Sequence, residues 1–409
     1  MRSLLDSRTA WITATAALAI MTVAYGAPLV VVVAMKQVAA ELGTARSGPA
    51  GAASLPYVGA AFGGIVAGWL AGRIGIRRIV LFGSTMVAAG LFVSAQGGLA
   101  ELYVGHGVLM GLFGTSCMFS PLLTYVSLWF EKRRGSAVAL IASGQAVAGA
   151  IWPPLLQMGI DRLGWRHTML AFAAFVLVSG AALTLIFLHP APIAPSTHAG
   201  GPGADRRRES TLGLPPNLLM VLLMVAVFSC CVPMAMPMQH VVAYCGDLGF
   251  ASQYGAAMLS VLLGSAFLAR QFWGWLSDRI GGFPTLLLSS LVQATALAGF
   301  LLTRDLAALY LVSAAFGLGL SGLLPAYVIV IRDCYSVREA NWRVPTVMFA
   351  GLLGMAGGGW GAGLLYDRFA SYLPAFSAGL VLNLVNLAVL TFLFARPQTR
   401  LMRQPQTST

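Results

Sequence analysis

One side chain in this sequence is placed where its chemistry cannot be ignored. Arg270 lies in the apolar run Leu263-Gly264-Ser265-Ala266-Phe267-Leu268-Ala269-Arg270-Gln271-Phe272-Trp273-Gly274-Trp275-Leu276-Ser277-Asp278-Arg279-Ile280-Gly281-Gly282. It stands roughly 12 Å along a helix from Asp278 at a rise of about 1.5 Å per residue. In a hydrocarbon core about 30 Å thick, that is near the midplane. A charge at that depth costs on the order of 3 kcal/mol or more and marks a substrate or ion pathway. The competing reading is an arginine that snorkels to the nearer interface. All 13 Asp and Glu fall in predicted loops, linker or termini, so no span supplies Arg270 with a carboxylate partner. A guanidinium in a polar cavity then calls for an anion from outside the protein, and its planar fork matches a carboxylate bidentately. No second Lys or Arg occurs between Pro345 and Leu365. One cation suits one negative charge, which favours a monocarboxylate over a dicarboxylate.

The rest of the inventory argues against catalysis. No nucleophile with a base, no paired acids at helical spacing and no glycine-rich nucleotide loop is present. Cys117, Cys230, Cys231, Cys245 and Cys334 lack metal-ligand or disulfide spacing and read as small buried apolar residues. The expectation is a protein that is not an enzyme, with no cofactor and no metal. A channel would show a repeated filter or charged rings, and none is found. His240, near the end of a span, has two readings. It could carry a proton, since histidine titrates near neutral pH; or it is a solvent-facing residue beside Gln239 and Tyr244, which is the preferred reading here.

Composition dictates what positions these groups. Of 409 residues, 58% are hydrophobic and only 9% charged, the balance of a polytopic membrane protein. Hydropathy gives twelve spans, near 11–35, 52–71, 78–97, 102–130, 136–159, 167–189, 216–242, 252–276, 283–302, 306–331, 344–365 and 372–395. The first apolar run is too long for a signal peptide and reads as a retained helix. Of the 25 Lys and Arg, eighteen fall in even-numbered loops and termini. Lys36, Arg46, Arg162, Arg166, Arg304 and Arg368 fall in odd-numbered loops. This asymmetry places both termini in the cytoplasm. The net charge of +12 is therefore a topology signal and implies no nucleic-acid partner.

The chain is also duplicated. Gly68-Trp69-Leu70-Ala71-Gly72-Arg73-Ile74-Gly75 and Gly274-Trp275-Leu276-Ser277-Asp278-Arg279-Ile280-Gly281 match at six of eight positions with an offset of 206, and Asp161-Arg162 recurs at the same offset as Asp367-Arg368. Phe113-Gly114, Pro121 and Tyr125-Val126 correspond to Phe316-Gly317, Pro325 and Tyr327-Val328 with a small slip. The predicted architecture is all-α: an N-terminal six-helix bundle (1–189), a flexible basic linker (190–214) with Arg206-Arg207-Arg208, a C-terminal six-helix bundle (215–395) and a tail (396–409).

The whole chain resembles the major facilitator superfamily through its two Gly-x-x-x-Asp-Arg-x-Gly loops, the first of which has Gly72 at the acidic position. Trp129-Phe130-Glu131-Lys132-Arg133-Arg134-Gly135-Ser136-Ala137, running on to Ser143-Gly144-Gln145, is similar to the segment between helices 4 and 5 of monocarboxylate transporters and their oxalate–formate antiporter relatives. Those families place an arginine at the position of Arg270, where it meets the substrate carboxylate. Animal monocarboxylate transporters carry an Asp where this chain has Ala266 and a proton-linked Lys where it has Leu29. These departures point to bacterial relatives and an inner-membrane location. Oxalate carriers also have a second cation in helix 11, which is missing here.

The resemblance implies a cavity lined by helices 1, 4, 7 and 10. At mid-depth those offer Tyr25, Leu29, Ser116, Ser120, Pro233, Pro237 and Ser321, and helix 5 adds Gln145. Tyr125 and Tyr327 should lie nearer the cytoplasmic mouth. For the serines and Gln145, helix–helix hydrogen bonding is the alternative reading. Phe172 and Phe175 read as lipid-facing or packing residues. Pro233 with Pro237, Pro153-Pro154 and Gly357-Gly358-Gly359 read as bending points for alternating access. The resemblance makes Arg73, Lys132, Arg133, Arg134, Asp278 and Arg279 the expected cytoplasmic gate. The expected protein is a monomeric carrier of a small, lactate- or pyruvate-like carboxylate in the lipid bilayer, driven with H+. The alternatives are an oxalate–formate-type exchanger and an exporter of drugs or other metabolites.

Overall fold

The computed structural model describes residues 5–131, 133–190 and 212–396, and these are helical with no strand among them. The predicted linker and tail lie almost wholly outside the described residues. The first bundle holds α1 (Arg8–Gly26), α2 (Ser47–Ile74), α3 (Ile76–Gln96) and α4 (Leu99–Ser127). A short helix, Arg134–Ala142, then leads into Gly144–Phe187, which Gly164 (φ 77°, ψ 164°) divides into α5 (144–163) and α6 (165–187). The second bundle holds α7 (Pro216–Asp247), α8 (Ser252–Ile280), α9 (Gly282–Leu302), α10 (Leu306–Cys334), α11 (Val337–Phe369) and α12 (Leu373–Phe394). Ten described segments are long and apolar enough to span a membrane. The bent helix α2 adds one span, and the break at Gly164 adds another by dividing the 52-residue segment Ser136–Phe187. The result agrees with the twelve spans read from hydropathy.

Span boundaries differ from the hydropathy limits where polar residues serve as caps. Ser7 accepts from the Ala10 amide at 3.3 Å, starting α1 before its apolar run. Asp305 accepts from Ala308 at 3.0 Å and Ser336 from Glu339 at 3.3 Å, opening α10 and α11. Each cap satisfies an amide that the first helical turn leaves without a partner. The first span breaks after Gly26 into two short helices, Leu29–Val33 and Met35–Glu41.

The duplication also appears in the backbone. Positive φ recurs in pairs at the 206-residue offset: Gly43 (61°) with Gly249 (87°), Gly75 (87°) with Gly281 (86°), and Gly164 (77°) with Ala370 (50°). The turn conformation outlasts the glycine at Ala370, where an L side chain costs about 1 kcal/mol.

Within the second bundle, a buried polar ladder ties helices together. Tyr327 donates to Asn386 Oδ1 (2.5 Å), Asn386 Nδ2 to Ser290 (2.8 Å), Ser290 to Asn383 (3.2 Å), and Asn383 Nδ2 to Gln293 (2.7 Å). Such bonds between α9, α10 and α12 hold helices where burial of apolar surface alone has little to offer. Tyr327 is thus a packing residue inside the bundle. Within Gly357-Gly358-Gly359 the last two glycines are points of close approach: a Cβ at Gly358 would collide with the Val232 carbonyl and one at Gly359 with the Gln239 side chain, so α7 and α11 touch there. Phe172 is buried against Trp152, with ring centroids 4.8 Å apart, while Phe175 is exposed.

Candidate functional site

Arg270 lies on α8 between the bundles. Its Nη1 donates to the Ala142 carbonyl of the first bundle at 2.5 Å, and its Nε is buried without a hydrogen-bond partner. Among the described residues no carboxylate pairs with it. Ala142 closes the short helix before α5, and Ser143 (φ −80°, ψ −4°) forms the joint. Three residues on, Gln145 Nε2 donates to the Tyr57 hydroxyl of α2 at 3.4 Å. Tyr25 of α1 is half-buried and meets Phe119 edge-on at 6.4 Å. So Arg270 of α8 meets the first bundle three residues before Gln145, which is tied in turn to Tyr57 of α2. Tyr57 carries no signal of its own in the sequence, because a tyrosine in a span has many packing explanations.

The remaining candidates are placed as follows. Leu29 is half-buried in the short helix Leu29–Val33. Ser321 is buried and donates to Leu318 of its own helix at 3.0 Å. Ser120 faces α2, its Oγ 3.7 Å from where a Cβ of Gly68 would sit. Two lateral grooves, about 440 Å³ between α2 and α4 and about 210 Å³ between α5 and α6, are lined almost wholly by apolar atoms, and Arg270 lines neither.

The two faces of the molecule differ. On the face that carries the start of α1, the end of α12 and both repeated loops, Arg73 stacks over Trp69 of its own helix (3.9 Å) and Arg279 over Trp275 of its own (4.0 Å). Asp278 is exposed, and the Arg133 amide donates to Asp6 at 3.1 Å. The Lys132 and Arg134 side chains lie outside the described residues. On the opposite, far face the halves are locked together. Arg46, just before α2, grips the Asp247 carboxylate at the end of α7 through both Nη atoms, and Lys36 Nζ reaches the same carboxylate at 3.0 Å. Asp367 of α11 accepts from the backbone amides of Arg46 (2.8 Å) and Ser47 (2.9 Å) at the start of α2, where a carboxylate also meets the helix dipole. Arg46 further lies 3.7 Å over the Tyr366 ring. A Cβ at Gly363 would lie 2.9 Å from Ala50, so the seam itself is tight. Hydrogen bonds and ion pairs that join the halves include this far-face cluster, Ser54 with Gln239 (3.0 Å), Gln157 with Ser252 (3.0 Å) and, deeper in, Arg270 with Ala142. The described conformation is closed on the far face.

His240 belongs to the closed side. It is fully buried, so the solvent-facing reading fails: Nε2 donates to the Gly359 carbonyl (2.7 Å) and Nδ1 accepts from Tyr372 (3.0 Å). A signal for the far-face lock was present in the charge distribution. Three of the six basic residues in odd-numbered loops are paired with acids: Lys36 and Arg46 with Asp247, and Arg166 with Glu41 at 2.7 Å. The Arg166 hydrogen bond, aided by Trp165, holds the Glu41 carboxyl below its usual range despite slight desolvation.

A twelve-helix duplicated bundle with a cation between its halves is the setting in which comparison with known proteins becomes informative. The sequence matches the Major Facilitator Superfamily over residues 10–341. The chain belongs to that superfamily. Among curated relatives, monocarboxylate transporter 13 of Rattus norvegicus is 26% identical over 85% of this chain and 82% of its own length. Monocarboxylate transporter 11 of Homo sapiens is 29% identical over 67% and 57%. The agnestins efflux protein AgnL12 of Paecilomyces divaricatus is 27% identical over 62% and 56%. Among solved structures, a mutant of the nucleoside transporter NupG superposes with a TM-score of 0.73 at 13% identity, covering 95% of this chain and 99% of that one. A bacterial homolog of the human lysosomal transporter Spinster, in an inward-facing and occupied conformation, gives 0.68 at 14% over 93% and 95%. At those identities the structures speak for the fold alone. The protein is a membrane transporter of the Major Facilitator Superfamily, with relatives on the monocarboxylate-transporter branch.

Proposed function

We propose that this transporter moves a small organic monocarboxylate with H+, by alternating access around Arg270. The observation that carries the reading is a guanidinium within the apolar helix α8, hydrogen-bonded across the halves to a backbone carbonyl, with a buried Nε that has no partner. A monocarboxylate supplies the missing acceptors and the missing negative charge. Tyr25, Tyr57 and Gln145 then face the remainder of the substrate, with Leu29, Ser120 and Ser321 as further members of the pocket or its walls. The same reading puts the chain ends in the cytoplasm of a bacterial inner membrane, so the closed far face is the outer gate. Arg73, Arg133, Asp278 and Arg279, with Lys132 and Arg134, close the inner side in the other half of the cycle. Energy comes from a gradient, through a monomer.

Uptake of labelled lactate, pyruvate, formate, oxalate and branched or aromatic acids into proteoliposomes, with and without inward-directed acid, tests the proposal. Monocarboxylate accumulation that the gradient stimulates and Arg270→Lys abolishes is the expected result. Transport that ignores the gradient but needs internal anion makes it an exchanger. The second reading, an exporter, is favoured by the fungal efflux relative, and movement of no carboxylate supports it.

A further inference from the structure

His240 is joined to the far-face lock by a continuous set of bonds. Its Nε2 donates to the Gly359 carbonyl at 2.7 Å, which leaves Nδ1 to accept from the Tyr372 hydroxyl at 3.0 Å. The Tyr372 oxygen accepts from Arg46 Nη1 at 3.3 Å, and Arg46 holds Asp247 across the seam. The groups around the imidazole come from every element packed on it. Gln239, Tyr244 and Asp247 share its helix, Tyr366 and Asp367 come from α11, and Tyr372 precedes α12. Arg46 and Lys36 come from the first bundle, and Arg304 lies beyond Tyr244. Lys36 and Arg46 are balanced by Asp247 and Asp367.

We propose that His240 is the proton-binding residue of the transport cycle and that a proton on it releases the far-face lock. The inference rests on the carrier reading above and extends it to the coupling step. A proton taken from the far-side solution binds Nδ1 and reverses the His240–Tyr372 bond. Nδ1–H now donates, and the tyrosine proton must leave that position. The new charge also unbalances the cluster and repels Arg46 and Lys36, which compete with it for two carboxylates. Both effects weaken the grip of Arg46 on Asp247 and favour opening to the side from which the proton came.

The test uses the full-length protein in nanodiscs without substrate, spin-labelled at Ala45→Cys and Phe369→Cys. Both positions are exposed on the far face, whereas the five native cysteines are buried. Between pH 8 and pH 5 the ratio of open to closed distances should rise about tenfold in this background. It should stay flat in His240→Gln, which cannot titrate. Tyr372→Phe, which keeps the imidazole but breaks the connection, should reduce the rise to less than threefold. A pH-independent distance distribution in the parent, or a full response in His240→Gln, overturns the proposal. Arg270→Ala should abolish carboxylate uptake yet keep the pH response, so failure of the carboxylate reading is read separately from failure of this one.

Discussion

Replacing Asp247 by Asn should open the far face. The Asp247 carboxylate is the point where Arg46 and Lys36 of the first bundle reach the second. Its side chain is 22% exposed and that of Arg46 13%, while Lys36 is 44% exposed. Hydrogen bonds to charged groups contribute about 1.5–3 kcal/mol each when sheltered. An exposed lysine pair adds well under 1 kcal/mol. Asparagine keeps one acceptor, and Arg46 retains Tyr372 and the Tyr366 face, so the closed state should lose about 2 kcal/mol net. That is about thirtyfold in the closed-to-open ratio. The reporter is Ala50→Cys, since Ala50 is wholly buried at the seam and meets Gly363. When opening and closing are fast, its alkylation by an impermeant maleimide scales with the open population. Asp247→Asn should then speed labelling about thirtyfold, and high salt should give the parent only a fraction of that, because the pair is partly shielded. Labelling within twofold of the parent would refute the assignment of Asp247 as the lock.

Two further substitutions test the packing. Gly363→Ala places a Cβ 2.9 Å from Ala50 and Ser47 only while the far face is closed, so it should raise the same labelling rate several-fold without lowering uptake of substrate from the far side to zero. Ala370→Gly relieves a left-handed alanine (φ 50°) and should raise the melting temperature by a degree or two in a scan of the detergent-purified protein, an effect of up to about 1 kcal/mol.

The architecture is readable from sequence because its signals are local. Apolar runs set the spans, the repeat at 206 residues sets the two halves, and Gly75 and Gly281, matched in the repeat, take the same positive-φ turn. Arg270 is readable because a charge in a span is conspicuous. What escapes depends on pairing between distant segments. Arg46 stands out as one of six basic residues in odd-numbered loops, but Asp247 is 201 residues away and nothing local says which acid it pairs with. The position of His240 near a predicted helix end suggests water, but α11 and the segment before α12 cover it. Gly357-Gly358-Gly359 reads as a hinge because glycine freedom is local knowledge, whereas its use here, close contact with α7, is not.

The central claim is that Arg270 recognises a negative charge. It is tested most directly by calorimetric binding of the transported acid and of its neutral amide to the purified protein, beside Arg270→Ala. A charge-assisted pair in a sheltered site is worth about 2–3 kcal/mol. The wild type should therefore bind the acid about a hundredfold more tightly than the amide, and Arg270→Ala should bind both equally weakly. Equal affinity of the wild type for acid and amide, or undiminished discrimination in Arg270→Ala, would contradict the account.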